Sequence, residues 1–334
     1  MIDKQEKLNT IKKIFAGSRG ILAADESIPT AGKRLASIGM ESTEETRRKY
    51  REIFLAVPGI ENYLSGVIFF DETFRQNISG KPFPKFIEEK GIIPGIKVDQ
   101  GVVDFPESPK EKITEGLTGL PERLAEYYSL GARFAKWRAV ITVGEGIPTD
   151  SCLKKNAEIL AQYAKNCIDA GIVPIIEPEV LLDGPHSLEK SEEVTIKTLK
   201  TIFEVFKNLQ IPLDEVILKT SMVVPGSESG EPMDPLKIGE ATARCLRASV
   251  SSELGGVVFL SGGQTPKQAT ANLNAIAKLG PFPWPLTFSY ARALQGPSLE
   301  IWQGKDENIS AAGEVFVERL KLNCTANRGE YQGE

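Results

Sequence analysis

The chain has 334 residues, a net charge of -5, 41% hydrophobic and 25% charged residues, the makeup of a soluble globular protein with material for a large core. No long Lys/Arg block supplies the basic face that phosphate-backbone binding needs, so nucleic acid is not expected as the main partner. The N-terminus is charged and helical rather than apolar, no run approaches membrane-spanning length, and Cys152, Cys167, Cys245 and Cys324 lie far apart without a CxxC pair; a cytoplasmic protein with buried thiols and no membrane contact is expected.

Short apolar runs recur down the chain, and most end in a lysine, a carboxylate or a small hydroxyl residue. In order they are GILAAD to Asp25, GVIFF to Phe70, IIPGIKV to Val98, ARFAKW to Trp137, GIVPIIE to Glu177, EVILK to Lys219, GGVVFL to Leu260 and PLTFS to Ser289. Amphipathic helices separate them. Ser42 with Glu45 predicts a capping box for the helix carrying Tyr50, Ile53 and Phe54. Leu120 and Pro121 open a helix that Gly131 closes, and Thr265 followed by Pro266 opens another. From Leu153 to Ile168, Leu153, Ala157, Leu160, Ala161, Ala164 and Ile168 share one face, and Gly171 stops the helix.

Strands that are apolar almost throughout, each followed by a helix, require a parallel sheet covered on its outer face, and eight such units predict an α/β fold closed as a (β/α)8 TIM barrel. A doubly wound open sheet would gather its unusual residues at one glycine-rich turn; here they are spread over many strand ends. Extra helices precede Asp25 and follow Asp306, and residues 1–334 read as one domain with a short tail from about 328.

Alternate residues of a barrel strand face the lumen. Counting by twos places Asp25 with Ala23, Lys97 and Asp99 with Gly95, Lys136 and Arg138 with Phe134, Glu177 and Glu179 with Ile175, and Lys219 with Ile217. Trp137, Ile176 and Leu218 then pack outward under helices. A lysine so placed loses solvation, which lowers its pKa and makes its neutral amine available to a carbonyl carbon. One strand-end lysine alone is more often an ion-pair or phosphate ligand; several on one rim, opposite Glu177 and Asp25, favour Schiff-base chemistry. Lys219 would attack, one carboxylate would shuttle protons during carbinolamine dehydration, and another would deprotonate the hydroxyl whose collapse breaks a carbon–carbon bond. The protonated imine would be the electron sink, so no cofactor is needed.

Two anion sites are expected. Ser261, Gly262 and Gly263 follow the seventh strand, where bare backbone N–H groups can approach an anion, and Ser289, Tyr290, Ala291 and Arg292 end and follow the eighth. At the opposite rim DESIPTAGKR carries Ser27, Thr30, Lys33 and Arg34 just past Asp25. A sugar bisphosphate would bridge the mouth.

Over nearly its whole length the chain resembles the class I fructose-bisphosphate aldolases, through GILAADES, SGVIFFDETF, GIKVDQG, FAKWR, IIEPE, LLDGPHSLEK, VILK, FLSGGQ and LTFSYARALQ in one order. The resemblance implies reversible cleavage of fructose 1,6-bisphosphate to dihydroxyacetone phosphate and glyceraldehyde 3-phosphate, with sedoheptulose 1,7-bisphosphate as a further substrate. It also implies a homotetramer. By resemblance Lys219 is the Schiff-base lysine, Glu177 the dehydration acid/base and Asp25 the carboxylate beside the C4 hydroxyl. Lys136 and Glu179 set charge and proton transfer around the imine, and Arg138 and Lys97 bind substrate. Ser261, Gly262 and Arg292, with the backbone at Ala291, take the ketose-derived phosphate; Ser27, Thr30 and Lys97, with Arg34 nearby, take the other.

The sequence departs from the family pattern at Thr30 for serine, Ala291 for glycine, and Thr220, Ser221 and Met222 after VILK. Better-known animal members carry a longer tail whose terminal tyrosine exchanges a proton at the enamine carbon, whereas Tyr331 sits in another context. Class II aldolases use zinc held by several histidines, which the lone His186 cannot supply, so no metal is expected. His186 itself reads as a surface turn or capping residue, and Trp137, Trp284 and Trp302 as interior or interface aromatics. Two alternatives stand beside the aldolase: a sugar-phosphate-binding scaffold on the same barrel, and another Schiff-base barrel of the transaldolase kind.

Overall fold

In the computed structural model, which describes residues 4–334, all eight expected strands form and close on themselves. They are β1 (Gly20–Ala24), β2 (Leu64–Phe69), β3 (Ile93–Lys97), β4 (Phe134–Ile141), β5 (Val173–Val180), β6 (Ile217–Thr220), β7 (Gly256–Phe259) and β8 (Leu286–Tyr290). Every pairing is parallel and follows chain order, and β8 returns to β1 through Ile21 opposite Ser289. Buried on both faces, these strands have no need of polar alternation, which explains their continuous apolar runs.

Lumen and helix layer separate as the parity of the strands dictates. Ala23, Phe134, Ile175 and Ile217 join Ile21, Ile68, Val173 and Val258 in an inner cluster, closed from below by Ile11 and Ile14 of the N-terminal helix Lys4–Ile14. Trp137, Ile176 and Leu218 belong instead to the large outer core under the helices. Two glycines make room for the lumen's aromatic rings. A Cβ on Gly95 would lie 2.2 Å from the Phe134 ring, and one on Gly256 would lie 2.2 Å from that of Phe15. The lower half of the barrel is therefore a packed apolar plug, and only the ends of the strands are left for polar residues.

Helix punctuation agrees with the sequence at most ends. Thr265 caps the helix Pro266–Lys278 and forms a capping box with Gln268. Gly171 and Gly131, at φ +77 and +108, follow the helices Asp150–Asp169 and Leu120–Ser129 at the left-handed stop position. The expected Ser42/Glu45 box is corrected by one residue: Thr43 is the N-cap of Glu44–Leu55 and Thr46 completes the box. Ser42 is drawn away because its hydroxyl accepts from Arg47.

Two antiparallel hairpins, Asn77–Ile78 with Lys81–Pro82 and Val102–Phe105 with Ser108–Thr114, were not expected from the sequence. They lie outside the barrel and bury little, so their hydrophobic pattern is weak. Extra helices flank the barrel as expected, with Ile309–Asn327 at the C-terminal end. Trp137, Trp284 and Trp302 are interior, and all four cysteines are buried free thiols.

Candidate active site

Each strand end contributes to a cleft of about 1120 Å³ at the C-terminal mouth of the barrel. Asp25 follows β1, Lys97 ends β3, Lys136 and Arg138 lie on β4, Glu177 and Glu179 on β5, and Lys219 on β6; all of them line it. So do Ser27, Thr30, Arg34, Ser261, Gly262, Gly263, Ser289, Ala291 and Arg292. Another cavity, about 690 Å³, lies between the helices Glu44–Leu55 and Ile309–Asn327 and contains none of these groups. Chemistry therefore selects the barrel mouth.

At the bottom of the cleft four side chains form a chain of ion pairs running Lys219–Glu177–Lys136–Asp25. Lys219 is 3% exposed, and its Nζ lies 3.0 Å from Glu177 Oε1. Lys136 Nζ lies 3.1 Å from Glu177 Oε2 and 2.6 Å from Asp25 Oδ2. Two lysines thus face two carboxylates out of water, where an unmatched charge would cost several kcal/mol. Burial alone would push the Asp25 carboxyl up, but the ammonium of Lys136, followed by that of Lys219, outweighs it and holds the group at about 2. Burial likewise opposes ionisation of Glu177, and Lys136 and Lys219 bring its pKa below the usual carboxylate value. For Lys136 burial favours the neutral amine, yet Asp25 and Glu177 reverse this and keep its pKa above the usual lysine value.

Around this network the walls are polar. Arg138 pairs with Glu179, and its peptide N–H donates to Asp99 Oδ2 at 3.2 Å. Lys97 donates to the Asp99 carboxylate and to the Asp99 carbonyl oxygen. On one rim Ser27 stands at the N-terminal boundary of the helix Ile28–Ala36 with its Oγ 3.2 Å from Thr30 Oγ1 rather than on a backbone N–H, and Arg34 leans back to Glu26 through a 3.2 Å pair. On the other, Gly262 and Gly263 have φ of +38 and +83, a left-handed turn that other residues resist. Ser289 Oγ, buried at the cleft wall, has no hydrogen-bond partner among the described residues. Arg292 begins the helix Arg292–Trp302, where orphan N–H groups favour an anion.

Two of the expected anion-site and substrate residues do not reach the cleft: Lys33 is exposed and outside its lining, and the buried Tyr290 lies outside it as well. One residue on from Ser289, its ring turns outward into the helix layer and its hydroxyl donates to the Ala269 carbonyl at 3.2 Å. The strand's alternation excludes its side chain from the cleft. His186 also differs from expectation: it is 9% exposed, directly precedes the N-cap Ser187, and has both ring nitrogens unpaired among the described residues. Burial lowers its pKa despite Asp183 and Glu231 nearby. Tyr331 lies off the cleft, its peptide N–H donating to Asn274 and its hydroxyl to Glu334.

Sequence reasoning did not single out Asp71, Arg75, Arg123 and Tyr127, which form part of the cleft wall. Arg75 pairs with Asp71 and Glu126, and Tyr127 donates to Asp71 at 2.8 Å. For Asp71 and Arg75 the signal was the DETFR segment just past β2, which reads equally as an ordinary first helical turn, whereas Arg123 and Tyr127 stand on the helix Leu120–Ser129 with no motif to mark them. Among the described residues no group of three or more His, Cys, Asp or Glu side chains is placed to hold a metal ion, and no helix is long and apolar enough to cross a membrane.

Comparison with known proteins gives one answer at three levels. The family model for fructose-bisphosphate aldolase class-I matches residues 6–334. A protein of Xylella fastidiosa named "Probable fructose-bisphosphate aldolase class 1" is 47% identical over 331 residues, 98% of this chain and 99% of its own length. A cytosolic fructose-bisphosphate aldolase of Arabidopsis thaliana is 46% identical, covering 95% of this chain and 81% of its own. Among solved structures, fructose-bisphosphate aldolase from Plasmodium falciparum, in complex with TRAP and a small-molecule inhibitor, superposes with a TM-score of 0.96 at 44% identity, over 99% of this chain and 96% of that one.

Proposed function

The chain belongs to the class I fructose-bisphosphate aldolase family, and from that premise we propose that it cleaves fructose 1,6-bisphosphate reversibly through an imine on Lys219. The observation that carries the assignment of the nucleophile is the burial of Lys219 Nζ 3.0 Å from Glu177 Oε1, at the closed end of a cleft whose two rims can each take an anion.

Lys219 passes a proton to Glu177, 3.0 Å away, which neutralises the carboxylate for the acid step that follows, and the free amine attacks the C2 carbonyl of the open-chain sugar. Glu177 protonates the departing carbinolamine hydroxyl, which leaves as water and forms the iminium ion. Asp25, held ionised by Lys136, takes the proton of the C4 hydroxyl; the C3–C4 bond breaks, its electron pair moves into the iminium, and glyceraldehyde 3-phosphate departs. Protonation of the enamine at C3 and hydrolysis then release dihydroxyacetone phosphate. Lys136 and Glu179 tune charge around the imine, while Arg138 and Lys97 hold the sugar. Ser261, Gly262, Gly263, Ser289, Ala291 and Arg292 take the ketose-derived phosphate, and Ser27, Thr30 and Arg34 the other. Sedoheptulose 1,7-bisphosphate fits the same pair of anion sites.

Borohydride added with dihydroxyacetone phosphate should reduce the imine and label Lys219, with activity unchanged by chelator and abolished in Lys219→Met. Label on another lysine overturns the assignment. A binding scaffold without catalysis finds no support beside relatives named as aldolases over nearly the whole chain. A homotetramer in the cytoplasm completes the proposal; sedimentation of the intact chain at a monomer's mass would refute the assembly.

A further inference from the structure

We propose that Arg51 is a positioning residue for the cleavage step: from behind the barrel wall it fixes the peptide on both sides of Asp25 and, through Glu26, the guanidinium of Arg34. The proposal rests on the reading of Asp25 as the carboxylate of cleavage. Arg51 stands on the helix Glu44–Leu55, is 1% exposed, and takes no part in lining the cleft. Its Nε donates to the Ala24 carbonyl at 3.4 Å and its Nη2 to the Glu26 carbonyl at 2.8 Å, so one guanidinium spans the residue between them. Nη2 also lies 3.2 Å from Glu26 Oε2.

Glu26 extends the arrangement to the rim. Its Oε1 accepts from the Tyr50 hydroxyl at 3.0 Å and lies 3.2 Å from Arg34 Nε, while the Arg51 guanidinium rests 4.8 Å from the centre of the Tyr50 ring. A purely structural bridge between this helix and β1 could be apolar at lower cost, because a buried guanidinium gives up its hydration and here leaves Nη1 without a partner among the described residues. What an apolar residue cannot do is hydrogen-bond the Ala24 and Glu26 carbonyls together while facing the Glu26 carboxylate, and lysine, with a single point charge, cannot span both carbonyls either. The groups so held are the base of the reaction and a cation of the anion site. A displacement of about 1 Å at such a base costs on the order of 100-fold in rate.

The test separates the steps of the reaction. In Arg51→Lys, borohydride with dihydroxyacetone phosphate should still label Lys219 to the parent's extent, whereas kcat for cleavage of fructose 1,6-bisphosphate should fall about 10- to 100-fold. Combined with Asp25→Asn, the substitution should add no loss beyond that of Asp25→Asn alone, since a positioned group that is gone cannot be mispositioned. Unchanged kcat, labelling that falls in step with cleavage, or losses that multiply in the double variant would each overturn the proposal. Full cleavage by Asp25→Asn would overturn the reading of Asp25 and this proposal with it. Should Arg51→Lys not fold, Glu26→Gln reads the same linkage: KM should rise several-fold through Arg34 with labelling intact, and an unchanged KM would count against it.

Discussion

Taking away the Lys136 ammonium would leave Asp25 and Glu177 out of water with one cation fewer between them. Lys136 is the nearest positive charge to Asp25, and its field is the first of those that hold that carboxyl at about 2. A base must be ionised to accept a proton, so Asp25, in the role proposed for it, is ready to act throughout the neutral range. In Lys136→Met burial acts on it with less opposition, its pKa rises, and the protonated, inactive form persists to higher pH. The acid limb of the kcat/KM profile should therefore move to higher pH, together with a loss of roughly 100- to 10,000-fold in kcat at neutrality. An acid limb that stays in place would show that Lys136 does not set the charge of Asp25. Lys219→Met should not imitate this result, because it removes the proposed nucleophile and would leave no turnover to titrate.

The turn after β7 is proposed to take a phosphate without any charged side chain of its own. Gly262 and Gly263 occupy the left-handed region, and Gln264 behind them is buried, its side-chain oxygen accepting from Asn272 at 2.6 Å. A Cβ on Gly263 would meet Leu182 Cδ2 at 2.7 Å and be strained at φ +83. Gly263→Ala should thus cost about 1–2 kcal/mol of stability and raise KM for the bisphosphate about tenfold, with imine labelling retained at saturating dihydroxyacetone phosphate. An unchanged KM would place the phosphate elsewhere. Such turns are legible as glycine pairs but not as structures, since a sequence does not show whether backbone N–H groups converge. The strands were easier: continuous apolar runs fixed both their positions and, by alternation, which of Lys136 and Trp137 faces the lumen. That same alternation, carried one residue further on β8, turns Tyr290 outward, away from the cleft where it is expected beside Ser289 and Ala291. His186 was misread because a Gly-Pro-His segment looks like a surface turn, and its burial depends on the loop around Gly226, more than thirty residues away, whose N–H donates to the His186 carbonyl at 2.8 Å.

At the scale of the molecule the barrel divides into two ends with separate duties. The lower lumen is sealed by Ile11, Ile14 and Phe15, packed against Ile21, Val173 and Val258, while the ionised network occupies the upper end. Lys7, 4% exposed, anchors the sealing helix by pairing with Glu215 at 3.1 Å and donating to the Ile168 carbonyl. Low polarity below the network matters to the chemistry above it, because an apolar floor keeps water from reaching Lys219 and Glu177 from behind. Stability and catalysis should nevertheless separate when the floor is altered modestly. Ile14 is wholly buried, so Ile14→Ala removes three carbons and leaves a cavity that the closed ring of strands cannot readily collapse. The expected loss is about 2–4 kcal/mol in chemical denaturation, with kcat and KM at 25 °C within about twofold of the parent. A comparable loss of stability with a much larger fall in kcat would mean that the plug transmits its packing to the strand ends, and the two ends would then have to be treated as one device.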